Sequence, residues 1–440
     1  MVTAARGRAK RAERRWDGLQ VVFDDGRAVA SAGLILPATL ADRLGLERLI
    51  DEAVDLGRRP GAARPGRKVM TLVHAILAGA DCIDDCDLLR AGQAQAVLGH
   101  RVMAPSTLGT FLRAFTFGHV RQLDRAMEQA LARAWGAGAG PGAGPLVIDL
   151  DSTICQVHGH HKQGAGFSHT RVRGYHPLLA TRADSGEVLH LRMRRGQANT
   201  MRGAERFVRE LAGRVRRAGA TGSIVIRADS GFWAARVIAA CRAHRIRFSI
   251  GVRSGDARIA AAISAIPEGD WQGIDYSAGG RAEVAETTYK DMRLVARRTR
   301  LVGPQAELFP DWRHHAFLTD RHGTARALDA DHRHHAVIEL AIRDLGAEGL
   351  AHCPSGSFFA NAAWALVAAL AHNLVRWVAR LGLGALGGVV AKTLRTRLVS
   401  MPGRISRSGR RSALHLPRRW PWSVAFATAL ERLRAVALQI

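Results

Sequence analysis

Two aspartates interrupt a run of apolar residues that has the composition of a buried β-strand. They are Asp149 and Asp151, in the sequence LVIDLDST at residues 146–153. Side chains alternate along a strand, so the two carboxylates are predicted to lie on the same face. Aspartate is disfavoured in strands, and a buried carboxylate without a partner is costly unless it takes up a proton. The pattern therefore predicts a function that compensates for burying these acids.

Two further acids fall at positions where they could join the first pair. Asp229 lies near the end of the predicted strand SIVIRADS at 223–230, and Glu339 lies in the middle of a predicted helix at 332–346. Each has a simpler explanation when it is considered alone. Asp229 could cap the helix that follows it, and Glu339 could belong to the exposed face of its helix.

The elements around these acids follow the order β-β-β-α-β-α-β. Two further strands follow the strand at 146–153, and a turn at 184–186 joins these two strands to each other. Helices then alternate with the strands at 223–230 and 247–253. This order predicts a mixed sheet covered on both faces, as in a ribonuclease-H-like core.

Such a core would bring the acids together. Its first and fourth strands are neighbours, so Asp151 would lie beside Asp229, and a late helix would carry Glu339 across them. Clustered carboxylates raise one another's pKa unless a cation lies among them. Two Mg²⁺ or Mn²⁺ ions about 3.5–4 Å apart, held by Asp and Glu, support in-line displacement at a phosphodiester. The acids therefore predict a site for two such metal ions.

The predicted fold is α/β: a ribonuclease-H-like catalytic core with a strand-rich insertion, preceded by an all-α N-terminal domain and followed by a basic tail. A helix-turn-helix and a plain helical bundle are equally compatible with the region around residues 105–130.

The apolar segment 358–378 is interrupted by polar residues, which favours a buried core helix over a membrane span. The predicted divisions are a basic arm and helical DNA-binding domain at 1–135, a Gly/Ala/Pro linker at 136–145, the core at 146–255 and 326–390, the insertion at 256–325, and the basic C-terminal region at 391–440.

The charge balance favours a polyanionic partner. There are 64 lysines and arginines against 38 aspartates and glutamates, a formal net charge of +26. A bias towards GC-rich codons explains arginine in place of lysine, but it does not explain the excess of bases over acids. Binding to phosphates would release counterions and so drive association.

The five cysteines lack metal-binding spacing, and the N-terminal region lacks the apolar run of a secretory signal. We therefore expect free thiols and a cytoplasmic protein without a membrane partner.

Several motifs, taken in order, resemble a known family. They are IDLDST, GYHPLLA, IRADSGF and HHAVIELAIRDL, followed by FFANAAWALVAALAHNLVRW. This series resembles the DDE insertion-sequence transposases, and most closely the family numbered thirteen-eighty of the insertion-sequence-four-like superfamily. The resemblance implies that Asp151, Asp229 and Glu339 are the catalytic, metal-binding residues. Asp149 is the alternative first aspartate or an assisting one.

The resemblance also implies a cofactor and partners. We expect two Mg²⁺ or Mn²⁺ ions, double-stranded DNA as terminal inverted repeats and as target, and a homodimer when DNA is bound. In a bacterium, the bound protein would be associated with the nucleoid. The residues predicted to contact DNA are basic or contain imidazole: Lys162, His332, His335, Arg343, Arg404, Arg407, Arg410 and Arg411.

Three positions depart from the pattern of the wider superfamily. His332 and His335 stand where a tyrosine and an arginine are usual, and Gly346 stands where a lysine is usual. A histidine ring can still contact a phosphate, although more weakly than arginine does. Arg343, four residues after Glu339, could replace the missing lysine.

Three functions are compatible with these features. The first is a transposase that cuts at terminal inverted repeats and transfers the 3′-OH ends to target DNA. The second is a nuclease on the same fold. The third is a decayed or repurposed transposase that only binds DNA; Gly346 favours it, whereas the three intact acids oppose it.

Overall fold

The computed structural model describes residues 19–168, 170–253, 255–276, 280–301, 312–384 and 391–439. The predicted basic arm at 1–20 lies outside the described residues except for its last two positions.

The N-terminal region is mainly helical. Helix α3 begins with a proline, which has no N–H to leave unpaired in the first turn, and ends at Gly79 in the left-handed conformation that favours glycine (φ 113°). Thr116 and His119 form a capping box at the start of α6. The helices are α1 (Ile35–Arg43), α2 (Leu46–Ala53), α3 (Pro65–Ala78), α4 (Ala94–Leu98), α5 (Pro105–Arg113) and α6 (Phe117–Ala134).

The linker predicted at 136–145 begins later than expected. Helix α6 continues into a further helical turn, Trp135–Ala139. Trp135 is buried, and its indole N–H donates to the carboxylate of Glu187 at 3.1 Å. A Cβ on Gly140 would lie 2.8 Å from the Cβ of Trp135. The small residues therefore allow the backbone to pack closely here, and the first half of the segment belongs to the packed structure.

Within the described residues, a mixed sheet of nine strands forms the centre of the molecule, which confirms the predicted α/β class. Its order is β10-β11-β12-β13-β9-β8-β2-β6-β7. Strand β8 runs parallel to both β2 and β9, and the other neighbours are antiparallel. The strands are β2 (Leu146–Ser152), β6 (Leu178–Arg182), β7 (Val188–Arg192), β8 (Ile224–Ala228), β9 (Arg247–Val252), β10 (Gln272–Ile274), β11 (Gly280–Tyr289), β12 (Met292–Leu301) and β13 (Arg313–Thr319).

The segment predicted as an insertion is rich in strands and extends this same sheet. Strand β13 pairs with β9, so β10–β13 continue the sheet at its edge. The guanidinium of Arg298 lies between two indoles, 4.4 Å from the ring centre of Trp271 and 4.5 Å from that of Trp312. These two tryptophans therefore have a structural partner in the cation–π contacts. A short helix, α9 (Ala257–Ser264), precedes the strands.

Helices and a small sheet cover the large sheet. The helices are α7 (Ala204–Arg217), α8 (Ala235–Ala243), α10 (Ala325–Arg333), α11 (Ile338–Leu345) and α12 (Phe358–Trp377). The small sheet has the order β3-β5-β4 and follows directly after β2. Its strands are β3 (Cys155–Gln156), β4 (Gly166–Phe167) and β5 (Arg173–Tyr175).

Helix α12 is the buried core helix that the sequence predicts. The helical stretch Phe358–Leu383 is long and apolar enough to cross a membrane, but 89% of its most apolar window is buried inside the protein. Its polar residues have internal partners. The Asn373 amide bonds the backbone N and O of Val188 at 2.7 and 2.8 Å, and His372 contacts the buried Glu348 at 2.6 Å. Helices α3, α5 and α6 pack against α12 in the manner of a helical bundle.

The C-terminal region folds onto the N-terminal helices and is not an extended tail. Strands β14 (Gly403–Ser408) and β15 (Arg411–His415) form a hairpin, and β14 also pairs with β1 (Ala28–Val29). Helix α13 (Ala391–Leu394) precedes the hairpin, and helix α14 (Ser423–Ala435) follows it and packs against α1. The predicted basic tail is thus a hairpin that backbone pairing with β1 orders, followed by a helix.

A buried charge network joins the N-terminal helices to the sheet. Asp124 on α6 accepts from Arg214 on α7, and its carboxylate lies 3.6 Å from the ring of the buried His190 on β7. Burial raises the pKa of Asp124, but the nearby imidazole of His190 and the charge of Arg214 outweigh burial and hold this pKa well below its usual value. Asp124 therefore stabilises the fold above pH 4 or so, and this contribution is lost as the pH falls below that value.

We predict that Asp124→Asn lowers the free energy of unfolding at pH 7 by about 3–5 kcal/mol, because it leaves the buried Arg214 without its counter-charge. Urea unfolding followed by circular dichroism measures the change. The control is Arg217→Gln in the same interface. Its side chain is 64% exposed and pairs with Glu128, so its loss should cost less than about 1 kcal/mol. Equal losses for the two variants would contradict the prediction.

Candidate active site

An ion pair between neighbouring strands lies directly beneath the predicted site. Asp149 on β2 is opposite Arg227 on β8 in the parallel register. The guanidinium donates from Nε and Nη2 to the two oxygens of Asp149, both at 2.8 Å. Both side chains are buried. A planar guanidinium and a carboxylate match in this two-bond geometry, so the pair aligns the two strands.

The same pair also holds the segment that leads into α11. Arg227 donates from Nη1 to the backbone oxygen of Asp331 at 2.7 Å. The ring Nδ1 of His335 lies 2.9 Å from Oδ1 of Asp149. Glu339 follows His335 by four residues. Two contacts to one ion pair thus set where the helix of Glu339 begins relative to the sheet.

Asp151 and Asp229 lie side by side at the ends of their strands. Leu150 is paired with Ala228, the last residue of β8, and each aspartate is the next residue along its strand. Oδ1 of Asp151 accepts from the N–H of Ser152 at 2.6 Å. Oδ1 of Asp229 accepts from the N–H of Gly231 at 3.0 Å, so Asp229 does cap the short helical turn that follows it. Asp229 can therefore cap this turn and also belong to the candidate site.

The three carboxylates interact electrostatically. Asp151 is partly buried, whereas Asp229 and Glu339 are exposed. Burial raises the pKa of Asp151 to about 6, and the charges of Asp229 and Glu339 add to the increase, although the N–H of Ser152 and the ring of His335 act against it. This is the expected electrostatic signature of carboxylates gathered at a functional site.

The donor set suits a hard divalent cation, because carboxylate oxygens are the ligands that Mg²⁺ and Mn²⁺ prefer. In this structure the oxygens of the three acids are not all within 4.8 Å of one another. Mutual repulsion between carboxylates favours such a separation. Among the described residues, ligand atoms do come within that distance at the turn of Asp81, Cys82 and Asp85. A thiol and two acids on an exposed turn form a poorer set for such an ion.

Comparison with known proteins gives the family. The family model described as "Transposase DDE domain group 1" matches residues 14–438. The chain belongs to this family. It is therefore an enzyme of the DDE transposase class, which confirms the predicted enzyme class.

Two further comparisons accompany that match. No curated protein matches the chain. A solved structure, the cryo-EM structure of the piggyBac transposase synaptic complex with hairpin DNA, is similar with a TM-score of 0.46 at 12% sequence identity; the match covers 84% of this chain and 79% of that one.

Asp149 is fully engaged in the structure of the transposase. Arg227 occupies both of its oxygens, and His335 shares one of them. The role predicted for Asp149 as an alternative first ligand therefore does not fit its contacts. It supports the site from below, and Asp151 is the aspartate of this strand that reaches the edge.

Two of the residues predicted to contact DNA have internal partners. His332 stacks on Phe317 with 4.2 Å between ring centres, and its Nδ1 lies 2.8 Å from the hydroxyl of Ser249. Burial, with the nearby charge of His335, lowers the pKa of His332 to about 3. Lys162 donates to the backbone oxygens of Cys353 and Ser355. Neither side chain is presented as a free cation in this structure, and contact of either one with DNA stays a prediction.

The predicted arginines are at the surface. Arg343 is exposed on α11, and the other four lie in the exposed hairpin of β14 and β15: Arg404, Arg407, Arg410 and Arg411. Arg404 lies 3.6 Å from Asp25. Within the described part of the chain, the other arginines form no ion pair. His335 is partly buried against Asp149. Contact of any of these residues with DNA stays a prediction.

The sequence did not single out Arg227 or His176. Both lie inside motifs that carry the family resemblance, Arg227 in IRADSGF and His176 in GYHPLLA. Arg227 immediately precedes the dipeptide of Ala228 and Asp229 in an otherwise apolar strand. A lone charged residue there is a signal for a buried partner on the neighbouring strand.

We predict that Asp151→Asn stabilises the metal-free protein at pH 8 but not at pH 4. A pKa raised from 3.8 to about 6 in the folded state means that protonation stabilises the fold, and that this contribution is lost as the pH rises through 6. The difference corresponds to at most about 3 kcal/mol, and partial exposure reduces it to about 1–2 kcal/mol. Thermal unfolding in EDTA across pH 4–8 measures it.

The control for this experiment is Asp291→Asn, which alters a carboxylate that is 68% exposed on a distant turn. It should leave the pH profile of the wild type unchanged. A profile for Asp151→Asn that runs parallel to that of the wild type would refute the assignment of the raised pKa to Asp151.

Proposed function

We propose that the protein is an insertion-sequence transposase of the thirteen-eighty type that cuts DNA at terminal inverted repeats and transfers the 3′-OH ends to target DNA. The observation that carries the proposal is the gathering of Asp151, Asp229 and Glu339 at the edge where the parallel strands β2 and β8 end. Ligand sites in open α/β sheets form at the carboxyl ends of strands. The family match is to the DDE transposases.

The strand order supports a ribonuclease-H-like core. Five neighbouring strands have the order β7-β6-β2-β8-β9, with β6 antiparallel to both β2 and β7, and with β8 parallel to β2 and β9. When the five strands are numbered by their order along the chain, their order in the sheet is 3-2-1-4-5. Only the second strand runs opposite to the other four. Such an arrangement places the first and fourth strands at the centre, which is where the two aspartates lie.

Asp151, Asp229 and Glu339 would hold two Mg²⁺ or Mn²⁺ ions. When bound, such ions activate the attacking oxygen and stabilise the leaving oxygen of an in-line displacement. The chain's own contribution is to hold the three carboxylates on two strands and one helix and to align them through Asp149 and Arg227. Water would be the first nucleophile, and the freed 3′-OH the second.

DNA would be the partner in both steps, as terminal repeats and as target. The net charge of +26 and the exposed arginines of the C-terminal hairpin support attraction to the phosphate backbone. We propose that the N-terminal helical region recognises the ends. We also propose that a homodimer forms on DNA, because two ends are cut together. The protein would work in the cytoplasm, at the nucleoid when bound.

One feature favours a decayed enzyme that only binds its ends. Gly346 begins the turn Gly346–Leu350 that follows α11, and it has no side chain to contact a phosphate. Arg343 is exposed on the same helix and would have to supply that contact.

We predict that the wild type cuts duplex DNA carrying the gene's flanking ends only when Mg²⁺ or Mn²⁺ is present. Asp229→Ala should reduce the rate by at least about 10²–10³-fold, because it removes a charge that stabilises the reacting centre. The cleavage products are resolved on denaturing gels. The control is Asp291→Ala, the same substitution on a distant turn, which should cut as the wild type does.

The alternatives give different results in the same assay. End binding without cutting by the wild type would identify a DNA-binding protein. Cutting that ignores the ends and never joins strands would identify a nuclease. Cutting that survives Asp229→Ala would show that the active site lies elsewhere.

A further inference from the structure

A buried arginine near the carboxylates has no acidic partner. Arg194 follows β7 and is only 9% exposed. No carboxylate in the described part of the chain forms an ion pair with it, and its Nη2 has no hydrogen-bond partner there. Burial and the nearby charge of Arg202 lower its pKa to about 10. A buried cation without a counter-charge is costly, which suggests that an anion is supplied from outside the chain.

The guanidinium of Arg194 organises the loop that follows it. Its Nη1 donates to the backbone oxygens of Asn199, Thr200 and Arg202 at 2.8, 3.2 and 2.9 Å. Its Nε donates to the backbone oxygen of His176 at 2.8 Å. Loop 195–203 is thus wrapped around a fixed positive charge, which distinguishes it from an ordinary surface connection.

This loop contacts the ends of both strands that carry the aspartates. The hydroxyl of Thr200 lies 3.1 Å from the hydroxyl of Ser152, the residue after Asp151. A Cβ on Gly231 would lie 3.0 Å from the methyl group of Thr200 and 3.1 Å from Oδ1 of Asp229. Thr200 therefore lies between the two catalytic strand ends.

A chain of hydrogen bonds fixes Thr200 in this place. Nδ1 of the buried His176 lies 2.6 Å from the backbone oxygen of Ala198, so this nitrogen carries the proton. In the neutral ring Nε2 is then an acceptor, and the Ser152 hydroxyl donates to it at 3.0 Å. The Ser152 oxygen in turn accepts from Thr200.

The exposed side of loop 195–203 is positively charged. The sequence RGQANTMRG has two arginines and no acid. Arg195 and Arg202 are exposed, and neither pairs with a carboxylate among the described residues. The loop ends at Gly203, whose φ of 80° begins α7 without a side-chain cap. The partly positive N-terminus of this 14-residue helix faces the same end of the loop.

We propose that loop 195–203 binds the phosphodiester backbone of the DNA strand that enters the carboxylate site. Arg195 and Arg202 contact phosphates directly. Arg194 is a positioning residue that shapes the loop and adds positive potential from beneath. This inference rests on the proposed function and deepens it, since it names the surface that holds the substrate strand beside Asp151 and Asp229.

The main test is the salt dependence of DNA binding by Arg195→Gln, Arg202→Gln and the double variant. Fluorescence anisotropy with a labelled duplex carrying the flanking ends, in EDTA, separates binding from cleavage. Each lost phosphate contact should make the slope of log affinity against log salt shallower by about 1. The control is Arg209→Gln on α7, which removes one charge from a residue that is 60% exposed and paired with Glu205; its slope should equal that of the wild type.

A second measurement tests the position of Thr200 through cleavage. Thr200→Val removes the hydroxyl from the chain to Ser152, whereas Thr200→Ser keeps it. We expect Thr200→Val to lower kcat with little change in KM or in melting temperature, and Thr200→Ser to restore kcat.

The outcomes separate this inference from the proposed function. If the wild type binds and cuts the ends while the Arg195 and Arg202 variants keep its slope, the loop does not bind DNA although the transposase assignment stands. If the wild type neither binds nor cuts these ends, the proposed function itself fails. A uniform loss of slope that includes Arg209→Gln would also overturn the assignment to the loop, since it would reflect net charge alone.

Discussion

The site depends on one buried ion pair. Asp149 and Arg227 face each other across the two central parallel strands with two hydrogen bonds of 2.8 Å. In a sheet, a slip of one residue turns every side chain to the other face, and this pair has only one register in which both bonds form. Because Asp151 and Asp229 are the next side chains on the same face of each strand, the pair brings these two carboxylates side by side. Through Asp331 and His335, it also places the helix that carries Glu339.

Such a pair adds little net stability to a fold. The desolvation of two charges offsets most of their attraction, and apolar residues of similar volume would often serve the fold as well. Its value here is alignment, which apolar strands supply less strictly. The arrangement also separates two duties between neighbouring aspartates of one strand. Asp149 is paired with Arg227 within the protein, whereas Asp151 has no such cation and its pKa is raised by burial.

Much of this could be predicted from sequence, because the signals are local. The apolar run with two acids, the strand that ends in Asp229 and the interrupted apolar helix α12 each show their environment in consecutive residues. Contacts between distant residues could not be predicted in this way. Lys162 looks like a free cation until Cys353 and Ser355 are seen beside it, and His332 looks like a phosphate contact until it is seen against Phe317. The glycine-rich stretch after Trp135 has the composition of a linker, but its small residues serve close packing.

The pairing of β1 with β14 has a consequence for biosynthesis. The N-terminal region receives its neighbouring strand and the helix α14 only from the last part of the chain. At ordinary translation rates these partners leave the ribosome on the order of tens of seconds after β1. During that interval the N-terminal helices lack the strand and the helix that pack against them in the finished chain. A chain terminated before β14 would therefore lack the strand that pairs with β1.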